Sequence, residues 1–188
     1  MKTLKNISVF ILAIAFTACS NDDDNPQPVN EEEVITTLTA TLTPVGGGTA
    51  ITMQTRDVDG DGPNDPVISV SGDLAINTTY NGSIELLNET ESPAELMTEE
   101  VEEEDDEHQF FFQATNSIAT FGYSDMDDDN NPIGLKFTVT TAATAGNGTI
   151  TVTLRHEPNK NADGVSDGNI TNAGGETDIQ AVFPVTLQ

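Results

Sequence analysis

Threonine and branched aliphatic residues alternate along this chain with a period of two, which restricts it to half-buried β-strands. In residues 37–43, Leu38, Ala40 and Leu42 share one face and threonines occupy the other. In residues 135–140, Leu135, Phe137 and Val139 point one way, and in 149–155 Ile150, Val152 and Leu154 do the same. Residues 142–148 end in Ala145-Gly146-Asn147-Gly148, which predicts a turn joining those two strands as a hairpin. In the last run, 179–187, Ile179, Ala181, Phe183, Val185 and Leu187 share a face; Pro184, on the other, cannot donate to a ladder and predicts an edge strand.

Weaker strands are expected at 50–55, 67–71, 74–80, 83–87, 108–114 and 118–123, separated by Gly, Asn, Asp and Pro clusters. Short strands without alternating helices predict an all-β fold, an immunoglobulin-like antiparallel β-sandwich. One short helix interrupts the series. Ser92, Pro93 and Glu95 form a capping-box pattern, and Ala94, Met97 and Val101 follow at helical spacing. The acidic run 99–107 then opposes the helix dipole, so the helix should fray near Glu103.

The first 19 residues read differently. Lys2 and Lys5 precede an apolar run from Ile7 to Phe16, then Thr17, Ala18 and the chain's single cysteine, Cys19. That is the basic, apolar and small-residue order of a secretory signal. The run is too short for a bilayer, which takes about 20 residues. Phe16-Thr17-Ala18-Cys19 resembles the bacterial lipobox, with Phe16 in place of the usual Leu. The resemblance implies cleavage before Cys19 and acylation of that residue with chains such as palmitate. Several chains on one residue anchor stably where one alone is marginal. Ser20-Asn21-Asp22-Asp23-Asp24-Asn25 is similar to the acidic signal of surface-exposed Bacteroidetes lipoproteins. The expected organisation is a signal peptide at 1–18, a lipidated, disordered acidic tether at 19–33 and a single sandwich domain at 34–188, on the outer face of the outer membrane.

Charge narrows the partners. The chain has 6 basic residues against 32 acidic ones, and loss of Lys2 and Lys5 with the signal leaves four. Nucleic acid is excluded as a partner, since that affinity rests on Lys and Arg neutralising phosphates. Cations, a surface ligand or an outer-membrane transporter remain as partners beside the membrane itself.

Four segments could hold ions. Asp57, Asp59 and Asp61, with Gly62 and then Asp65, open like a calcium loop, in which alternating carboxylates converge on a hard cation. Ile68 stands where the bidentate Glu of an EF-hand would be, so the expectation is a calcium turn at a sandwich end. Asp125, Asp127 and Asp129 repeat the alternation without the glycine, which favours a solvated turn. Asn159, Asn161 and Asp163 offer a weaker set with Lys160 inside it. Glu104, Glu107 and His108 pair an imidazole with carboxylates, which suits zinc or copper better than calcium, and His156 could join them only in space. Two histidines, no cysteine beyond Cys19 and no nucleophile elbow or phosphate loop argue against an enzyme.

Further stretches extend the likeness: Glu31 to Val34, Arg56-Asp57-Val58-Asp59-Gly60, Glu107-His108-Gln109-Phe110-Phe111-Phe112, Leu154-Arg155-His156-Glu157-Pro158 and Ile170 to Asp178. Together they resemble a family of small Bacteroidetes lipoproteins whose members often carry the name type 1 periplasmic binding fold superfamily protein. That name denotes a longer two-lobed α/β structure, whereas this chain is short and almost all β. The resemblance implies an envelope lipoprotein and brings no activity with it. The expected function is a non-enzymatic ligand- or partner-binding module with a structural calcium. The alternatives are a zinc or copper acquisition accessory to an outer-membrane transporter, and a structural envelope protein.

Overall fold

A computed structural model describes residues 34–60 and 62–188; the expected signal peptide, Cys19, the expected tether and Asp61 lie outside the described residues. Two antiparallel sheets pack face to face. The first holds β1 (Thr37–Pro44), β2 (Ile51–Arg56), β3 (Val67–Val70), β4 (Thr79–Leu87), β6 (Ala119–Tyr123) and β7 (Lys136–Thr141), in the order β3-β2-β1-β4-β7-β6. The second holds β5 (His108–Ala114), β8 (Gly146–His156) and β9 (Glu176–Leu187), in the order β5-β8-β9. Among the described residues the fold is an antiparallel β-sandwich with one short α-helix, α1 (Met97–Glu103), between β4 and β5. No helix among the described residues is long and apolar enough to cross a membrane.

The alternation explains the core. Leu38, Ala40 and Leu42 of β1, Ile84 and Leu86 of β4, and Phe137 and Val139 of β7 meet Phe110 and Phe112 of β5, Ile150, Val152 and Leu154 of β8, and Ala181, Phe183 and Val185 of β9. Each large side chain buried this way contributes about 1.5–3 kcal/mol. Phe112 and Phe137 stack across the sandwich at 4.2 Å between centroids. Opposite Phe137 stands Gly82, where a Cβ would come within 2.4 Å of the Phe137 ring, so glycine alone fits there.

Three local expectations are corrected. Residues 135–155 do not form a hairpin: β7 pairs with β4 and β6, while β8 pairs with β5 and β9. The 142–145 link carries the chain from one sheet to the other, so each strand keeps its apolar face inward against the opposite layer. Residues 74–80 are not one strand; Leu74 makes an isolated parallel bridge with Leu187, and β4 starts at Thr79. Ser92 does not cap the helix. Asn88 and Glu95 exchange both backbone hydrogen bonds, which keeps Glu95 extended and delays α1 to Met97. The helix does end at Glu103, and Pro184 does lie on an edge strand.

The outer face of β5 is covered by the excursion 157–175, which seals Phe111 beneath Val165 and Ala173. This excursion and the α1–β5 turn lie at one end of the second sheet, where the candidate site is found.

Candidate metal centre

The inward parity of β5 runs His108, Phe110, Phe112, and that of β8 runs Ile150, Val152, Leu154, His156. Each histidine therefore extends the core face of its strand by one position beyond the last hydrophobic residue. Antiparallel pairing sets His108 directly opposite His156. Their ring centroids lie 4.6 Å apart with the planes tilted by 46°, and both side chains are buried. These are the only two histidines in the chain.

β9 adds a carboxylate through an irregularity. Leu154 opposes Ile179 but Arg155 opposes Thr177, so Asp178 is the extra residue of a β-bulge. A bulge re-aims its side chain, and Asp178 turns toward the histidines: Oδ2 lies 3.9 Å from His108 Nε2 and Oδ1 lies 3.9 Å from His156 Nδ1. On the other side of His156, Nε2 lies 3.6 Å from Glu107 Oε2. Donor atoms of His108, His156 and Asp178 all fall within 4.8 Å of one another, as do those of Glu107, His156 and Glu157. A tetrahedral zinc with bonds of about 2.0–2.1 Å sets its ligand atoms about 3.3 Å apart. Inward movement of roughly an ångström closes either group on an ion.

One hydrogen bond orients the ligand set. His108 Nδ1 lies 3.1 Å from the carbonyl oxygen of Glu104, which can only accept, so Nδ1 carries the hydrogen. In the neutral ring the lone pair then sits on Nε2, the atom facing Asp178. An imidazole that donates its second nitrogen to a backbone carbonyl is the arrangement that fixes ring and tautomer in metal sites. Glu104 thus touches the candidate centre through its backbone.

The turn carrying Glu104 and Glu107 is held by a buried lysine. Lys160 Nζ donates to the carbonyl of Asp105 and to Asp127 Oδ2, the latter at 3.0 Å. Both side chains of this ion pair are almost wholly buried. Burial alone would raise the Asp127 carboxyl, but the Asn131 amide and Lys160 outweigh it and hold the group below its ordinary range. Asp105 moves the opposite way, raised by burial and by repulsion from Asp127 and Asp128. The clasp ties two acidic segments that the sequence showed as separate, 99–107 and 125–131, to the lysine of a third, 159–163.

The remaining predicted residues stand as follows. Asp125 accepts from the Gly134 and Lys136 amides, both at 2.8 Å, and Asp127 Oδ1 accepts from the Asp129 and Asn131 amides. These carboxylates order the turn that Asp129 leaves toward solvent. Asn159, Asn161 and Asp163 are exposed around the buried Lys160. Asp57 accepts from the Asp59 amide, Asp59 Oδ2 accepts from Asn64, and Asp65 is exposed. Asp57 and Asp59 line a cleft of about 420 Å³ between the sheet ends, together with Ile35, Thr55, Asp178 and Ile179. Asp61, their expected partner, lies outside the described residues.

Asp178 and Glu157 are the candidate ligands that sequence reading missed. Continuing the β9 alternation would turn Asp178 outward, and only the bulge reverses it. Glu157 had a signal in its position next to His156. No family model, no curated protein and no solved structure matches this chain.

Proposed function

We propose that this chain is a lipid-anchored, non-enzymatic module that holds a zinc or copper ion at His108, His156 and Asp178. In this reading Cys19 anchors it at the outer face of the outer membrane, and it serves a transporter there as a metal-acquisition accessory. One observation carries the reading: the only two histidines of the chain are buried cross-strand neighbours, with a bulge carboxylate turned toward both. Two imidazoles and a carboxylate are a borderline donor set suited to zinc or copper, whereas calcium takes six to eight oxygens. Three protein ligands leave a position open, which fits an ion that is held and then passed on. The acidic surface supports the same reading by raising the local concentration of cations.

The test is calorimetric titration of the metal-stripped, full-length chain with zinc, copper(II) and calcium, paired with thermal melting. The expected result is one zinc or copper ion bound per chain with a raised melting temperature. Stabilisation by calcium alone, or no binding of either transition metal, would overturn the assignment.

A further inference from the structure

Resting on that reading, we infer that Glu107, His156 and Glu157 form a second, outer metal position through which the ion reaches the buried centre. The two positions share His156, and its two ring nitrogens face opposite ways. Nδ1 lies 3.9 Å from Asp178 and Nε2 lies 3.6 Å from Glu107. Exposure follows the same direction: the Glu107 side chain is 50% exposed, that of Asp178 is 8% and that of His108 is 0%. Glu157 is exposed as well.

The backbone places the outer pair deliberately. Glu157 adopts φ 48°, a left-handed conformation rare for a residue with a side chain. Its amide donates to the Glu107 carbonyl at 2.7 Å, locking the two glutamates together at the end of the β5–β8 ladder. Behind them, Gly175 lies so close to the His156 carbonyl that a Cβ would fall 2.1 Å from it.

This geometry fits stepwise loading. A hydrated divalent ion loses its waters one at a time, and exposed carboxylates replace them first. A neutral imidazole offers one lone pair. With it on Nε2, His156 serves the outer position; with it on Nδ1, it serves the inner one. Passing the ion inward therefore releases the Nδ1 proton toward the cleft that Asp178 lines, while Nε2 takes one up from water beside Glu107, so the ring stays neutral. The ion then gains Asp178 and His108 as it gives up the glutamates.

Stopped-flow zinc binding to the full-length chain and to the double variant Glu107→Gln/Glu157→Gln tests this, with Asp73→Asn/Glu85→Gln as a control of equal charge change, Asp73 lying at the opposite end of β9. The expected result is association and dissociation both slowed by about tenfold, with Kd held within about threefold, and rates of the control near the parent's. Unchanged rates in the Glu107/Glu157 variant, or equal slowing in the control, would overturn the outer position. A Kd weakened as far as in His108→Ala would do so too, because the glutamates would then be ligands of a single centre. A parent chain that binds no zinc sinks this inference together with the function above, whereas a binding parent with an unaffected variant sinks the inference alone.

Discussion

His108 and His156 face each other across the β5–β8 ladder at 4.6 Å between ring centroids, 48 residues apart in sequence and at the same depth in the sandwich. The pair sits one position beyond the Phe110 and Leu154 layer, where a hydrophobic side chain would simply have continued the core. Two imidazoles in that place are tolerated because the Asp178 bulge and the Glu104 carbonyl supply polar surroundings. The same surroundings suit the ligand role proposed above.

If the pair is the centre, truncating either ring removes a ligand. Loss of an orienting neighbour in a metal site costs about 10–100-fold in affinity, so His108→Ala or His156→Ala should cost more than about 100-fold. Calorimetry with zinc checks the affinity. Melting gives a second readout, since ligand at 100 times Kd stabilises by about 2.7 kcal/mol in the parent and by almost nothing in either variant.

Lys160→Met should destabilise the chain by about 3–5 kcal/mol, because it leaves the Asp127 carboxylate buried without its ammonium. Adding Asp127→Asn should recover most of that loss, since an amide oxygen still accepts from the Asp129 and Asn131 amides. Urea denaturation of the single and double variants measures both. A double variant as unstable as Lys160→Met alone would show that the clasp works by packing and not by charge.

Acid should reveal the Arg56–Glu89 pair, bonded at 2.8 and 2.6 Å at the end of β2. The hydrogen bond from Arg56, then that from Thr37, brings the Glu89 carboxyl down to about 2 from 4.5. A lowered folded value means a contribution present above the unfolded value and lost as the pH falls. The stability difference between the parent and Glu89→Gln should therefore be constant above about pH 5 and vanish between about pH 4.5 and 2. Urea melts across that range give the curve. Salt should shrink it, as the pair is exposed.

Gly175→Ala should damage the site from behind. Gly175 has φ 66°, and an added Cβ would meet the His156 carbonyl at 2.1 Å. The strand end must shift, so both stability and zinc affinity should fall. An alanine where φ is positive loses more than the roughly 0.4–1 kcal/mol that favourable Gly→Ala changes bring. Gly174→Ala is the informative comparison: its φ is 63°, but no atom lies within 4 Å of its added Cβ. It should destabilise less and leave zinc affinity near the parent's.

How much of this was readable in advance depends on the range of the interaction concerned. Period-two alternation states which face each residue takes, because successive side chains on a strand point to opposite sides. Residues 149–155 showed Ile150, Val152 and Leu154 on one face, whereas His156, one step further along that face, and His108 were read only beside the acidic run. Alternation says nothing about neighbours. A turn-rich link made 135–155 read as a hairpin, yet β7 and β8 belong to opposite sheets. Capping chemistry at Ser92 was likewise overridden, by the pairing of Asn88 with Glu95.

By itself, then, the sequence determined the two-layer all-β architecture, the inward faces of the strongest strands and the acidic character of the loops. These are local properties, written in periodicity and composition. Only the tertiary structure decided that β5 lies beside β8, that a bulge turns Asp178 inward and that Lys160 holds two acidic segments together. Each of those joins residues far apart in the chain. Strand pairing is set by which arrangement buries both apolar faces at once, and the candidate centre exists only where that arrangement brings the strand ends together.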